Sequence, residues 1–301
     1  MEADPALSVV IATHRRPLQL ERCLNSLAEQ DLSRDRWEVI VVHDGGDAPP
    51  AGCRGEIAIR QLQTCHLGCG LARNAGAAAA RGRCLIFTDD DCTFPPDLLS
   101  RYEEAFRANP ECLIAGSAKN WLAENAYAQA THAMTELLLR FSNRAENQNN
   151  MAIGNNMGVP SVEFRRLGGF SARYFRNAAE DRDFSARWLA AGKRIVFEPG
   201  IVVHHAHQMN LRGFLRQHYH YGRGAYVFHR SQAERHQRKW QAPGFYAAMI
   251  VRAPTARARM LLALSQLAHT VGFARGFIAS KMSRRDAPEQ WPPGPDSNRE
   301  D

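Results

Sequence analysis

The stretch that most limits what this chain can become is Cys84-Leu85-Ile86-Phe87-Thr88-Asp89-Asp90-Asp91-Cys92, followed by Thr93-Phe94-Pro95-Pro96. Leu85 to Phe87 predict a short buried strand, apolar and bounded by polar turn residues. Three carboxylates in a row at its carboxyl end repel one another and are costly to hold together without a counter-charge. A divalent cation is one remedy, since hard Mg²⁺ or Mn²⁺ takes one or two carboxylates together with the oxygens of a substrate phosphate. In an open α/β sheet the ligand crevice also lies beyond the carboxyl ends of the strands. The plain alternative is an acidic turn that caps a helix beginning near Pro96. The neighbouring segments decide between the two.

Leu7 to Ala12 predict a first buried strand, broken at Thr13-His14-Arg15-Arg16-Pro17. A proline at a helix start suits Leu18 to Gln30, where Leu20, Cys23, Leu24 and Leu27 share one face. Trp37 to Val42 follow as a second strand ending in His43-Asp44-Gly45. Strand, helix and strand at this spacing predict a right-handed parallel crossover. A loop over 48–55 leads to a third strand over Ile57 to Leu62, and an alanine-rich helix opens near Gly70 and runs to about Arg81. The order Gly68-x-Gly70 with Gly76 does not match a dinucleotide-binding fingerprint. Arg73 and Asn74 near that helix start are placed to face a pyrophosphate, or else are surface polar groups. Further on, Pro96 to Ala108 predict a helix and Cys112 to Ala118 a strand. Residues 121–150 predict one or two helices and a mobile loop over the site. A helix runs from Glu180 through Ala191, and two short strands, Lys193 to Glu198 and Ile201 to His205, flank Pro199-Gly200.

The 301 residues suffice for one large domain with an appendage, and an apolar fraction of 45% supports a sizeable core. The net charge of +7 is uneven: from Ala206 onward there are 15 Lys and Arg against 6 Asp and Glu. A basic C-terminal third fits anionic lipid or an acidic polymer, and no nucleic-acid signature accompanies it. The seven cysteines form an odd set. Cys65-x-x-x-Cys69 around His66 is a poor zinc pattern, so reduced, mostly buried thiols in a cytosolic protein are expected. Neither a secretory signal nor a membrane-spanning run is visible.

Taken together, these segments resemble a family 2 inverting glycosyltransferase of bacterial type. The resemblance rests on Val9 to Pro17, Val41-Val42-His43-Asp44-Gly45, Gly70-Leu71-Ala72-Arg73-Asn74-Ala75-Gly76 and Asp89-Asp90-Asp91. It continues in Gly154-Asn155-Asn156, Gly168-Gly169-Phe170, Glu180-Asp181 and Val202-Val203-His204-His205, which together cover residues 7 to 207 in the family's order. It implies the GT-A fold, an α/β architecture with a mostly parallel, Rossmann-like sheet flanked by helices and followed here by a C-terminal helical extension. The implied organisation is a catalytic domain over 1–208, with a nucleotide half over 7–118 and an acceptor half over 119–208. A basic helical extension over 209–285 and a disordered tail over 286–301 complete it.

The resemblance also implies roles. Thr13, Arg15, Asp44, Arg73 and Asp89 fall at nucleotide-binding positions, with Asp44 facing the base, typically uracil. His43 stands where many members have another aspartate, which leaves the base open. Asp89 and Asp91 are the outer acids of a D-x-D motif and, with His205, the expected ligands of Mn²⁺ or Mg²⁺; His204 and His207 compete for the histidine's place. Asp90 has no direct role. Asp181 is the expected general base, because an inverting transfer needs a carboxylate beside the acceptor hydroxyl; an acidic helix start with no chemistry is its plain alternative. Asn155, Asn156, Gly169 and Glu180 fall at sugar or acceptor positions. Trp188 is expected in the core. The donor is then a nucleotide sugar, most simply a UDP-sugar, and the acceptor a glycan or lipid-linked glycan. A nucleotidyltransferase, or a non-catalytic sugar-nucleotide-binding scaffold of the same fold, are the competing readings.

In the C-terminal third, 211–230 interleaves Phe214, Tyr219, Tyr221 and Phe228 with Arg212, Arg216 and Arg223. Met260 to Met282 is an apolar helix interrupted by His269, Arg275 and Lys281. That pattern suits a helix lying in the plane of the inner membrane face, and equally one packed against the body or a partner subunit.

Overall fold

The computed structural model describes residues 4–46, 57–143, 150–174, 178–234, 250–251, 253 and 255–283. The loop over 48–55, the asparagines 147 and 149, and the tail over 286–301 lie outside them.

Eight strands form one sheet in the order β3-β2-β1-β4-β7-β6-β8-β5. They are β1 (Leu7–Thr13), β2 (Trp37–Asp44), β3 (Ile59–Thr64), β4 (Cys84–Asp89), β5 (Cys92–Thr93), β6 (Leu113–Asn120), β7 (Asn156–Pro160) and β8 (Ile195–His205). The helices are α1 (Pro17–Ala28), α2 (Cys69–Ala79), α3 (Leu98–Ala108), α4 (Ala126–Ser142), α5 (Ser161–Arg166), α6 (Glu180–Ala190), α7 (Leu211–Glu234) and α8 (Ala256–Ser283). β3, β2, β1 and β4 run parallel, as the strand-helix-strand spacing predicts. β7 lies antiparallel between β4 and β6, and β8 rejoins parallel to β6.

β1 and β2 are buried almost throughout because both faces are covered, which is why they are continuous apolar runs. On one face α1 and α3 bring Leu20, Leu24, Leu27, Leu99 and Tyr102 against the strands. On the other, α2 and α6 enclose Phe87, Phe164, Phe170, Phe184 and Trp188. Trp188 is fully buried and donates from Nε1 to the Arg194 carbonyl at 2.8 Å, so it is a core residue. α2 sits close to the sheet through Gly76, where an added Cβ would lie 2.4 Å from Val10 Cγ1.

Two expectations change, and the one or two helices expected over 121–150 are one. The two strands expected around Pro199-Gly200 are one, β8; its proline and glycine lie exposed, and a register shift between Ala115 and Ser117 of β6 absorbs the irregularity. Among the described cysteines, Cys23, Cys92 and Cys112 are buried free thiols, while Cys65 and Cys69 are exposed. Residues 126–142 form a single helix, capped by Asn125, whose side chain accepts from the Tyr127 and Ala128 amides.

The sequence after 209 supplies α7 and α8, which pack along each other. Phe214 and Leu261 join Ala130 and Met209 in one apolar cluster, and Leu262 joins Met134 in another. Close approach is allowed by Gly222, where a Cβ would fall 1.9 Å from the His269 carbonyl oxygen, and by Gly272 opposite Tyr219. No helix among the described residues is long and apolar enough to cross a membrane.

Candidate active site

The register of the parallel strands delivers the first part of the site. Ala12 pairs with Asp89 and Thr13 with His43, so Thr13, Asp44 and Asp89 all emerge at one carboxyl edge. A cavity of about 530 Å³ opens there, within the size range of small-molecule sites. One wall carries Thr13, Arg16, Asp44, Arg73, Asp89, Asp90, Asp91, His205 and His207. Asn155, Glu180, Asp181 and Arg182 lie along it as well. The cavity is also lined by Met134 and Leu138 of α4, Met151, Ile153, Met209, Gln217 and Tyr221 of α7, and His269 of α8.

The three acids go to three different partners. Asp89 Oδ1 accepts from Arg73 Nη2 at 2.5 Å, and Arg73, itself only 3% exposed, reaches Glu180 Oε1 through Nη1 at 3.1 Å. Asp90 accepts from the Thr13 hydroxyl at 2.7 Å and from Arg16 at 3.1 Å, and burial pushes its pKa up to about 6. Asp91 lies where β5 pairs antiparallel with β8, with the Ala206 amide donating to the Asp91 carbonyl at 2.9 Å. That pairing sets His205 Nε2 3.0 Å from Asp91 Oδ1 and His207 Nδ1 2.9 Å from Oδ2, and Arg16 adds a contact at 3.1 Å. Burial pulls the Asp91 pKa upward, but the two imidazoles outweigh it and hold the carboxylate well below its usual range.

Asp91, His205 and His207 offer one ligand atom each, all within 4.8 Å of one another. One carboxylate and two imidazoles converging at this distance are a donor set that a divalent transition ion fits; Mg²⁺, which prefers oxygen ligands, fits it less well. His207 therefore joins His205 in the cluster. His204 points the other way, against Trp121 with ring centroids 4.9 Å apart, as strand alternation requires. Asp89, expected as a ligand, is outside this cluster because Arg73 draws it toward α6.

Glu180 and Asp181 open α6. The residue before them, Ala179, has φ 85°, a left-handed conformation that an L side chain adopts at a cost of about 1 kcal/mol. Asp181 Oδ2 accepts from the Gly154 amide at 3.0 Å and Oδ1 from the Arg182 amide at 2.7 Å. Burial raises the Asp181 pKa above the ordinary aspartate value, which makes it a stronger base. Burial, reinforced by the neighbouring Asp181 charge, pushes Glu180 up to about 7.

Three expected positions take other places. Asn156 is 1% exposed and lies in the core, donating to the Ser117 and Ile201 carbonyls at 2.7 and 2.9 Å and accepting from Tyr102 at 2.7 Å. It ties β7 to β6, β8 and α3, and the residue facing the cavity is Asn155, whose buried Oδ1 has no partner among the described residues. Gly169 has φ 61° in a turn held by Asn74 and Arg187, away from the cavity wall. Arg15 is exposed and packs beside Gly46, whereas Arg16 lines the cavity. Asp44 lines the cavity, but its oxygens already accept from the Leu67 and Gly68 amides at 2.6 and 2.7 Å and from Thr64 at 2.8 Å. His43 is buried with Nε2 3.0 Å from Gln61.

Against this geometry the comparisons with known proteins are specific. The profile of the family "Glycosyl transferase family 2" matches residues 8–166, more than half of the chain. The chain belongs to that family. Over 98 residues, 31% of its length, this family 2 chain is 33% identical to a putative glycosyltransferase, EpsH, of Bacillus subtilis, covering 28% of that protein. Over 193 residues, 61% of its length, it is 26% identical to an uncharacterised glycosyltransferase of Haemophilus influenzae, covering 62% of it. The chain thus spans less than two thirds of either relative. Among solved structures, the mannosyltransferase PcManGT of Pyrobaculum calidifontis, in complex with GDP-Man and Mn²⁺, superposes with a TM-score of 0.59 at 18% identity. The match covers 95% of this chain and 77% of that one. The fold is GT-A, as the sequence resemblance implies.

Proposed function

We propose that this chain is a metal-dependent, inverting glycosyltransferase that moves a sugar from a nucleoside-diphosphate donor to an acceptor hydroxyl. The observation that carries the reading is the single cavity shared by Arg73, the Asp91–His205–His207 cluster and Asp181. The structural neighbour's GDP-Man and Mn²⁺ support a nucleotide-sugar donor and a divalent ion here.

Asp91, His205 and His207 would hold the ion, which when bound supplies positive charge to the departing diphosphate. Arg73 is a buried cation at the same wall, and Arg16 a second, half-exposed one; both favour an anionic ligand. Asp181 takes the proton from the acceptor hydroxyl. Its two amide donors hold the carboxylate in one orientation, and its raised proton affinity suits removal of a proton from a weak acid. Asn155 Oδ1, buried and without a partner among the described residues, and Glu180 lie where a sugar hydroxyl can donate to them. Asp44 and His14 line the same cavity at the carboxyl edge of β1 and β2, where this reading puts the donor nucleoside. The acceptor belongs to bacterial surface-glycan or glycolipid synthesis in this reading.

The test is release of free nucleoside diphosphate from a panel of nucleotide sugars, with Mn²⁺ or with a chelator. Asp181→Asn should retain diphosphate affinity within about threefold and lose about 10³-fold in turnover. Full turnover by that variant, or turnover indifferent to chelation, refutes the assignment.

A further inference from the structure

α8 carries two opposed apolar faces. The inner one buries Leu261, Leu262, Ser265 and Gly272 against α4 and α7, and its His269 reaches the cavity. On the outer one Met260, Leu267, Val271 and Ile278 are 56, 62, 53 and 48% exposed. Steps of seven, four and seven residues at 100° per residue keep these four within about 20° of one line. The line is about 27 Å long at 1.5 Å per residue. A stripe of that length serves no packing purpose among the described residues.

The charge around the stripe identifies what covers it. The helix contains no Asp or Glu, while Arg257, Arg259, Arg275 and Lys281 are all exposed. None of the four pairs with an acid among the described residues; Arg259 is spent on the Ala253 carbonyl, and Lys281 lies 4.6 Å over the Phe277 ring. A second copy docked along this helix would set cations against cations with no acid on the helix to relieve them. A bilayer with anionic headgroups satisfies both features, taking the apolar line into the acyl boundary and the guanidinium groups at phosphate level. The helix is too polar to cross.

We propose that the outer face of α8 is an anionic-membrane docking surface on which this chain lies in plane. His269 on the inner face of the same helix lines the cavity, so docking would set that side of the cavity next to the lipid. The docking itself does not depend on the transferase reading.

Vesicle flotation of the full chain tests it, with phosphatidylglycerol–phosphatidylcholine vesicles, phosphatidylcholine alone, and no lipid. The full chain should float with anionic vesicles at 0.1 M salt, bind phosphatidylcholine more weakly, and be released as salt rises. Leu267→Glu combined with Val271→Glu should lower anionic-vesicle partitioning by about tenfold or more. Its affinity for guanosine or uridine diphosphate with Mn²⁺ should stay unchanged, which shows that the fold is intact. Should that variant misfold, Arg257→Gln with Arg275→Gln decides: it must weaken binding to anionic vesicles and leave binding to phosphatidylcholine alone. Failure of the unsubstituted chain to float, or flotation insensitive to both variants, overturns the proposal. A dimer in sedimentation velocity that the first variant splits, with vesicle binding unaltered, assigns the stripe to a copy of the chain instead. Loss of sugar transfer with vesicle binding retained would count against the catalytic reading and leave the docking surface standing.

Discussion

Glu180→Gln should stabilise this protein at alkaline pH, an unusual direction for a substitution in a candidate active site. The Glu180 side chain is 14% exposed, accepts from Arg73, and sits beside the Asp181 charge. Burial and that neighbour lift its pKa from the ordinary 4.5 to about 7 despite the guanidinium. A folded-state pKa above the unfolded one means that the native protein binds this proton more tightly. The wild type therefore loses stability as pH rises from about 4.5 to about 7, and the loss is complete above that window. At about 1.4 kcal/mol per tenfold change in proton affinity, the loss is roughly 3 kcal/mol. Glutamine imitates the protonated acid and still offers Arg73 an acceptor oxygen, so it escapes the penalty. Urea unfolding with chelator present, at pH 4.5 and pH 8, isolates the effect as a double difference in which titrating groups remote from Glu180 cancel and the Glu180–Asp181 pair is read as a unit. The two proteins should differ little more at pH 4.5 than any isosteric pair. At pH 8 the variant should gain about 3 kcal/mol, near 1 M in midpoint for a slope of about 3 kcal/mol/M. An unchanged difference at the two pH values, or a variant less stable at pH 8, would refute the assignment of Glu180 as a buried acid held at a cost.

The remaining predictions concern the ion and the core. Asp91→Ala should abolish Mn²⁺-dependent binding of nucleoside diphosphate by isothermal titration, and His207→Ala should weaken it by about tenfold or more. His204→Ala, on the opposite face of β8, should leave it within twofold; equal losses at 204 and 207 would place the ligand set elsewhere. Asn156→Ala should cost about 3 kcal/mol in thermal or urea unfolding, because the Tyr102 hydroxyl and two buried carbonyls lose their partner. The surviving folded fraction should keep its donor KM, and a raised KM with unchanged stability would return Asn156 to the sugar site.

The strands β1 to β4 and β6, the acidic motif and the acidic helix start are legible in the sequence because each is a local pattern, whereas β5 and β7, short or polar at their start, carry no such pattern. An apolar run ends in polar residues, and the parallel register then forces Thr13, Asp44 and Asp89 to one edge. Which carboxylate does what is not local. Arg73 and Glu180 are 107 positions apart and meet only because α2 and α6 cover the same face of the sheet. That meeting turns Asp89 away from the histidines. His207 reaches Asp91 because β5 and β8 pair, and no spacing rule links residues 91 and 207. Asn155 and Asn156 are adjacent and chemically alike, yet Asn155, in the turn before β7, lines the cavity while Asn156, the first residue of the strand, is held in the core. The apolar wall from α4, α7 and α8 carries no motif, since packed helices are specified by the shapes of their faces. Sequence by itself determined the family, the parallel half of the sheet and the chemical inventory of the site. Tertiary structure alone decided the pairings, because the energy of a buried charge depends on which partner the fold brings within about 3 Å of it.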